Sequence, residues 1–97
     1  MTTPQELVVL MQRVARQDRA AFAELYRATS AKLFGVVLRI LRRRDLADEV
    51  LQEAYVKIWE RAADYRPESG AVITWISTLA RNRALDDAQE ADAVRHA

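Results

Sequence analysis

Apolar side chains return at helical spacing from Leu46 to Ala62, and almost nothing in the chain interrupts runs of this kind. Leu46, Ala47, Val50, Leu51, Ala54, Tyr55, Ile58, Trp59 and Ala62 fall on one stripe of a helix. Asp48, Glu49, Gln52, Glu53, Val56, Lys57 and Glu60 fall on the opposite one. A sheet of several hairpins needs turn residues, and the whole chain has only two glycines and two prolines. The fold class expected is therefore all-α, a compact bundle of three to four helices. A chain of 97 residues builds one modest core, so residues 1–97 read as a single domain.

The remaining helices follow the same logic. Pro4 suits a first helical turn, with Leu7, Leu10, Met11 and Val14 at helical spacing behind it. Asp18 is placed to cap a second helix through Ala21, Phe22, Leu25 and Tyr26. Thr29 and Ser30 are expected to bend or interrupt that helix, because short hydroxyl side chains compete for backbone hydrogen bonds. The pattern resumes through Leu33, Phe34, Val37, Leu38 and Leu41, then reaches Arg42, Arg43 and Arg44. These read as a basic last turn matched to the helix dipole, in preference to a nucleic-acid patch. Asp45 is the expected cap of the next helix. Tyr65 to Gly70 is the clearest loop, and Ser69 the expected cap of a last helix from about Ala71 to about Asp92.

Several function classes drop out on composition. There is no cysteine, hence no disulfide or thiolate metal site. The single histidine is His96, which leaves no histidine-based catalysis and little transition-metal chemistry. Neither a phosphate-cradling glycine loop nor a cofactor motif occurs, so no enzyme activity, cofactor or metal is expected. No apolar run is long enough to span a bilayer, and the first residues lack a signal-peptide pattern, so the expectation is a cytoplasmic protein without membrane insertion.

Charge is segregated along the chain even though the net charge is only +1. Residues 1–44 carry nine basic groups against three acidic ones, and residues 45–64 carry six acidic against two basic. Separate surfaces for separate partners would produce that pattern, and so would ordinary solvated faces. Asp48, Glu49, Gln52 and Glu53 share a helix face on which only Lys57, four residues after Glu53, is placed to neutralise a carboxylate. Unpaired acceptors of this kind suit a basic partner.

In the last helix, Val72, Trp75, Ile76 and Leu79 mark the inward face. Asn82 and Asp86 extend the Trp75–Leu79 row, so they are expected to be at least half-buried, structural and hydrogen-bonded. Thr74, Ser77, Thr78, Arg81 and Leu85 face outward, and hydroxyls beside an arginine suit phosphates or base edges. In the loop, Tyr65, Arg66, Glu68 and Ser69, with Trp75 one turn on, form a setting for an unstacked base. Trp75, like Trp59, also reads as core packing.

Three blocks of this chain resemble bacterial sigma factors of the extracytoplasmic-function group. Ala47-Asp-Glu-Val-Leu-Gln-Glu-Ala-Tyr55 with Trp59 is similar to their core-binding helix, region 2.2. Thr74-Trp-Ile-Ser-Thr-Leu-Ala-Arg-Asn-Arg-Ala-Leu-Asp86 resembles their W-L-x-x-I-A-R-N-x-x-x-D segment, regions 2.3 and 2.4, and Asp18-Arg-Ala-Ala-Phe-Ala-Glu-Leu-Tyr26 resembles the opening of region 2.1. The resemblance implies docking on the clamp helices of the largest subunit of core RNA polymerase, through Asp48, Glu49, Gln52 and Glu53. It implies recognition of the promoter −10 element as a melted single strand, with a flipped base received near Tyr65 to Gly70, and an anti-sigma factor as a further partner.

The chain departs from that family at Asp87-Ala-Gln-Glu90, where basic residues are common and carboxylates would repel phosphates. The family's C-terminal −35-binding domain is expected to be absent from this chain. The alternative reading is a protein–protein interaction module of sigma-like fold, an anti-sigma target or decoy without DNA binding.

Overall fold

The computed structural model describes residues 2–96, with side chains through Asp92. The expectation attached to His96 therefore falls on a side chain outside the described residues. Four helices follow one another: α1 (Pro4–Ala15), α2 (Arg19–Leu41), α3 (Arg44–Arg61) and α4 (Val72–His96). Two short 3-10 turns, Ala62–Asp64 and Pro67–Ser69, join α3 to α4. The all-α expectation holds.

Pro4 opens α1 as expected, and the Thr3 hydroxyl accepts the amide of Glu6 at 3.2 Å. Leu7, Leu10, Met11 and Val14 are all buried. Asp18 caps α2: one carboxylate oxygen accepts the Ala21 amide at 3.1 Å and the other accepts Arg13 Nε at 3.0 Å. The amide first, and Arg13 after it, hold the Asp18 carboxyl below its ordinary range.

Three local expectations change. First, α2 runs unbroken through Thr29 and Ser30. Thr29 Oγ1 donates to the Leu25 carbonyl at 2.7 Å, a bond made one turn back along the helix, so it adds to the helical ladder without displacing it. Second, the three arginines do not form a last turn. Arg42 ends α2 in a left-handed conformation (φ 61°) with its amide on the Leu38 carbonyl at 2.7 Å, Arg43 precedes α3, and Arg44 is the first residue of α3. Third, Asp45 is not a cap: α3 has begun before it, and its carboxylate turns to Arg43 Nη2 at 2.8 Å. The hydrogen bond from Arg43 is the main reason the Asp45 carboxyl sits below its ordinary range.

The core forms where α2 packs against each of the other three helices. Ala47, Val50, Leu51, Ala54, Tyr55 and Ile58 of α3 face it, as the periodicity predicts. Against them α2 places Ala21, Leu25, Thr29, Leu33 and Val37. Trp59 is half-buried, with its ring edge-on to Phe22 at 5.1 Å, and Tyr26 lies 4.7 Å from Tyr55. The buried row of α4 is Val72, Ile76, Ala80 and Ala84. At 45 × 24 × 22 Å the molecule is elongated, because α4 alone, at about 1.5 Å per residue, covers most of the long dimension.

Candidate functional site

The outer face of α3 is exposed at Asp48, Glu49 and Gln52 and half-buried at Glu53. Asp48 and Glu49 form no ion pair among the described residues. Gln52 Nε2 reaches the Tyr26 hydroxyl at a long 3.4 Å. Glu53 is different, because its carboxylate accepts Arg83 Nε from α4. Lys57, expected to serve Glu53, pairs with Glu60 at 3.6 Å instead. Only two of the four acceptors are thus wholly available to a partner.

Arg83 escaped the sequence reading. Its other guanidinium nitrogen lies 3.4 Å from Asp87, so it ties α3 to α4 and neutralises one of the carboxylates that follow Asp86. Glu53 first, with Asp87 and Glu90 adding to it, raises the Arg83 pKa above its ordinary value. The one signal in the sequence was the i, i+4 spacing of Arg83 and Asp87. The Glu53 contact spans 30 residues and has no local signature.

The loop after α3 closes on itself. Tyr65 is buried, its hydroxyl donates to the Gly70 carbonyl at 2.7 Å, and its ring meets Trp75 edge-on at 5.7 Å. Burial first, then the Glu68 charge, pushes the Tyr65 phenol above its usual pKa. Tyr65, expected beside a base, fills the space under the loop with its ring, where Gly70, at φ 135°, turns its carbonyl onto the phenol. Arg66 stays exposed, with Nη1 donating to the Ala63 carbonyl at 2.7 Å. Glu68 and Ser69 remain exposed, but Ser69 belongs to the 3-10 turn and does not sit next to the first residue of α4, Val72.

On α4, Thr74, Thr78 and Arg81 are exposed and Ser77 is half-buried, as expected of the outward face. Together they form one wall of a groove whose other wall is α2. Thr78 donates its hydroxyl to the Thr74 carbonyl at 2.8 Å, which leaves Thr74 and Ser77 as the free hydroxyl donors. Asn82 and Asp86 are exposed, not half-buried. Their structural role is withdrawn because small Ala80 and Ala84 carry the inward row, which large apolar residues alone do not reveal. Trp75 is half-buried against Tyr65, in keeping with a packing role.

Among the described residues, no group of His, Cys, Asp or Glu has a metal-holding arrangement, and no helix is long and apolar enough to cross a membrane.

A four-helix unit with an acidic face on its third helix and a hydroxyl–arginine face on its fourth corresponds to one domain class. The chain belongs to the Sigma-70 region 2 family, which it matches over residues 25–93. It is 38% identical over 81 residues to the ECF RNA polymerase sigma factor SigK of Mycobacterium tuberculosis (strain ATCC 25618 / H37Rv), covering 84% of this chain and 43% of that protein. SigK of Mycolicibacterium vanbaalenii is 40% identical over 81 residues, covering 84% of this chain and 41% of the relative. SigK of Mycobacterium sp. (strain KMS) is 38% identical over 88 residues, covering 91% and 46%. The chain thus spans less than half the length of these relatives.

Proposed function

We propose that this domain docks on core RNA polymerase and engages the promoter −10 element as a single strand, acting as a non-catalytic specificity unit of transcription initiation in the bacterial cytoplasm. The observation that carries the reading is the pair Asp48 and Glu49: two exposed carboxylates without a cation, on the helix that resembles the polymerase-binding segment. A basic surface on the clamp helices of the largest subunit complements them. Gln52 and Glu53 lie at the rim of that contact, with Glu53 shared with Arg83. The strand meets Thr74, Ser77 and Arg81, with Thr78 as an acceptor and with Arg66, Glu68 and Ser69 at the loop end. An anti-sigma protein would cover the same surfaces.

The test is binding of the 97-residue chain to purified bacterial core polymerase. Asp48→Lys/Glu49→Lys is expected to weaken binding by roughly 100-fold, the scale of about 3 kcal/mol for a reversed interfacial charge pair, with the helical circular dichroism unchanged. Undiminished affinity would overturn the docking assignment. Reversal at Glu53 is the poorer test, because it also removes the partner of Arg83.

The second reading, a sigma-like module that binds protein but not DNA, draws on exposed Asp86 and Glu90 near the end of α4. Polymerase that carries the domain yet binds no single strand would favour it.

A further inference from the structure

Of the four acceptors on the outer face of α3, Glu53 alone is held by a cation, and that cation comes from another helix. Arg83 reaches it from α4 through Nε, while Arg83 Nη2 lies 3.4 Å from Asp87, one turn further along α4. A planar guanidinium gripped at two points has little freedom to swing. The bond uses only one of the two Glu53 oxygens, Oε2. Oε1 accepts no hydrogen bond among the described residues, and no buried side-chain oxygen there lacks a partner, so Oε1 opens to solvent. Glu49, one turn before Glu53 and on the same side of the helix, has no partner to orient it. Lys57, which could have held Glu53 from within α3, is occupied by Glu60.

We propose that Arg83 is a positioning residue of the polymerase-docking face: by taking Oε2 it fixes Glu53 so that Oε1 is offered to a basic group of the partner. The proposal rests on the docking reading above. A carboxylate accepts on both oxygens, so a partner cation at Oε1 does not have to displace Arg83. A long side chain ordered only on docking costs roughly two- to tenfold in affinity, and Arg83 meets that cost in the free chain. Loss of Arg83 also leaves the face more negative, which strengthens long-range attraction to a basic surface. The two effects oppose each other, and salt suppresses the long-range one far more than the contact itself.

The experiment measures affinity of the 97-residue chain for purified core polymerase at about 200 mM salt. The variants are Arg83→Gln, Glu53→Gln and the two combined. Arg27→Gln, an exposed arginine in the groove between α1 and α2, makes the same charge change elsewhere. Both side chains of the pair are partly exposed, so the fold survives their loss, which helical circular dichroism checks. Glu53→Gln is expected to weaken binding roughly tenfold and Arg83→Gln roughly fivefold. The double variant should bind like Glu53→Gln alone, because Arg83 acts only through Glu53. Arg27→Gln should bind like the unaltered chain.

Unchanged binding by Arg83→Gln overturns the proposal, and tighter binding does so too, since Arg83 would then be withholding Glu53 from the partner. A loss that persists in full when Glu53 is already Gln, or that Arg27→Gln reproduces, also overturns it: the arginine would act by another route or through charge alone. All of these outcomes spare the docking reading. That reading fails separately if the unaltered chain does not bind, or if Asp48→Lys/Glu49→Lys binds undiminished, and the role of Arg83 falls with it.

Discussion

Thr29 and Tyr55 show how much a single polar contact decides inside this core. Thr29 is the one buried polar side chain among the described residues, and its hydroxyl proton goes to the Leu25 carbonyl. The Tyr55 hydroxyl must then donate to Thr29 Oγ1, which satisfies both groups. Burial pushes the Tyr55 phenol up to about 12. Between pH 10 and that value the unfolded chain releases the proton while the folded one keeps it, so stability falls as pH rises, by on the order of 2 kcal/mol in all. Below pH 10 the contribution is fully present. Tyr55→Phe should reduce that decline, to which the raised Tyr65 phenol also contributes, and cost about 0.5–1.5 kcal/mol near neutral pH through the lost hydrogen bond. Urea unfolding at several pH values measures both effects. The aromatic itself was legible from its place on the apolar stripe of α3. The partner was not, because Thr29 read as a helix breaker.

Elements join here through contacts that local patterns do not encode. The periodicity of α3 located its buried face correctly, since one full stripe of large residues is hard to misplace. In α4 the stripe is written partly in alanine, and that misdirected Asn82 and Asp86 inward. The link between these two helices is Arg83, held by Glu53 and Asp87. Both partners of the α3–α4 pair are more than a third exposed, so solvent screens them and the pair is worth little in isolation. A double-mutant cycle of Glu53→Ala and Arg83→Ala should give a coupling of roughly 0.5–1 kcal/mol in thermal or urea unfolding. A coupling near zero would mean that the pair positions the side chains without holding the helices together. The loop between the helices is a further case. Pro67 and Gly70 announce a turn, but only the folded chain shows that Tyr65 is buried beneath it and that Arg66 bonds back to the Ala63 carbonyl.

At the scale of the whole molecule, charge segregation along the chain becomes segregation in space. Asp48 and Glu49, two unpaired carboxylates, lie on α3, whereas Lys32, Arg39 and Arg81, three of the unpaired cations, line the groove between α2 and α4. The two surfaces share no residue. Combining Asp48→Lys/Glu49→Lys with Lys32→Gln/Arg39→Gln should therefore change the unfolding free energy by the sum of the separate changes, to within about 0.3–0.5 kcal/mol. A larger deviation would mean the faces are coupled through the core. Sites that act independently allow polymerase docking and strand contact to occur at once, as the proposed function requires.

The sequence by itself determined the helical class, the core face of α3, the capping role of Asp18 and the two chemically distinct faces, because each is written in spacing over one or two turns. The family resemblance was legible for the same reason, its motifs being contiguous along single helices. Only the tertiary structure decided which acceptors are free, that Tyr65 is closed off beneath Gly70, and that α2 supplies a cationic wall opposite α4. Those outcomes depend on which side chains from distant segments arrive at one place. Spacing along a chain cannot carry that information; packing between helices does.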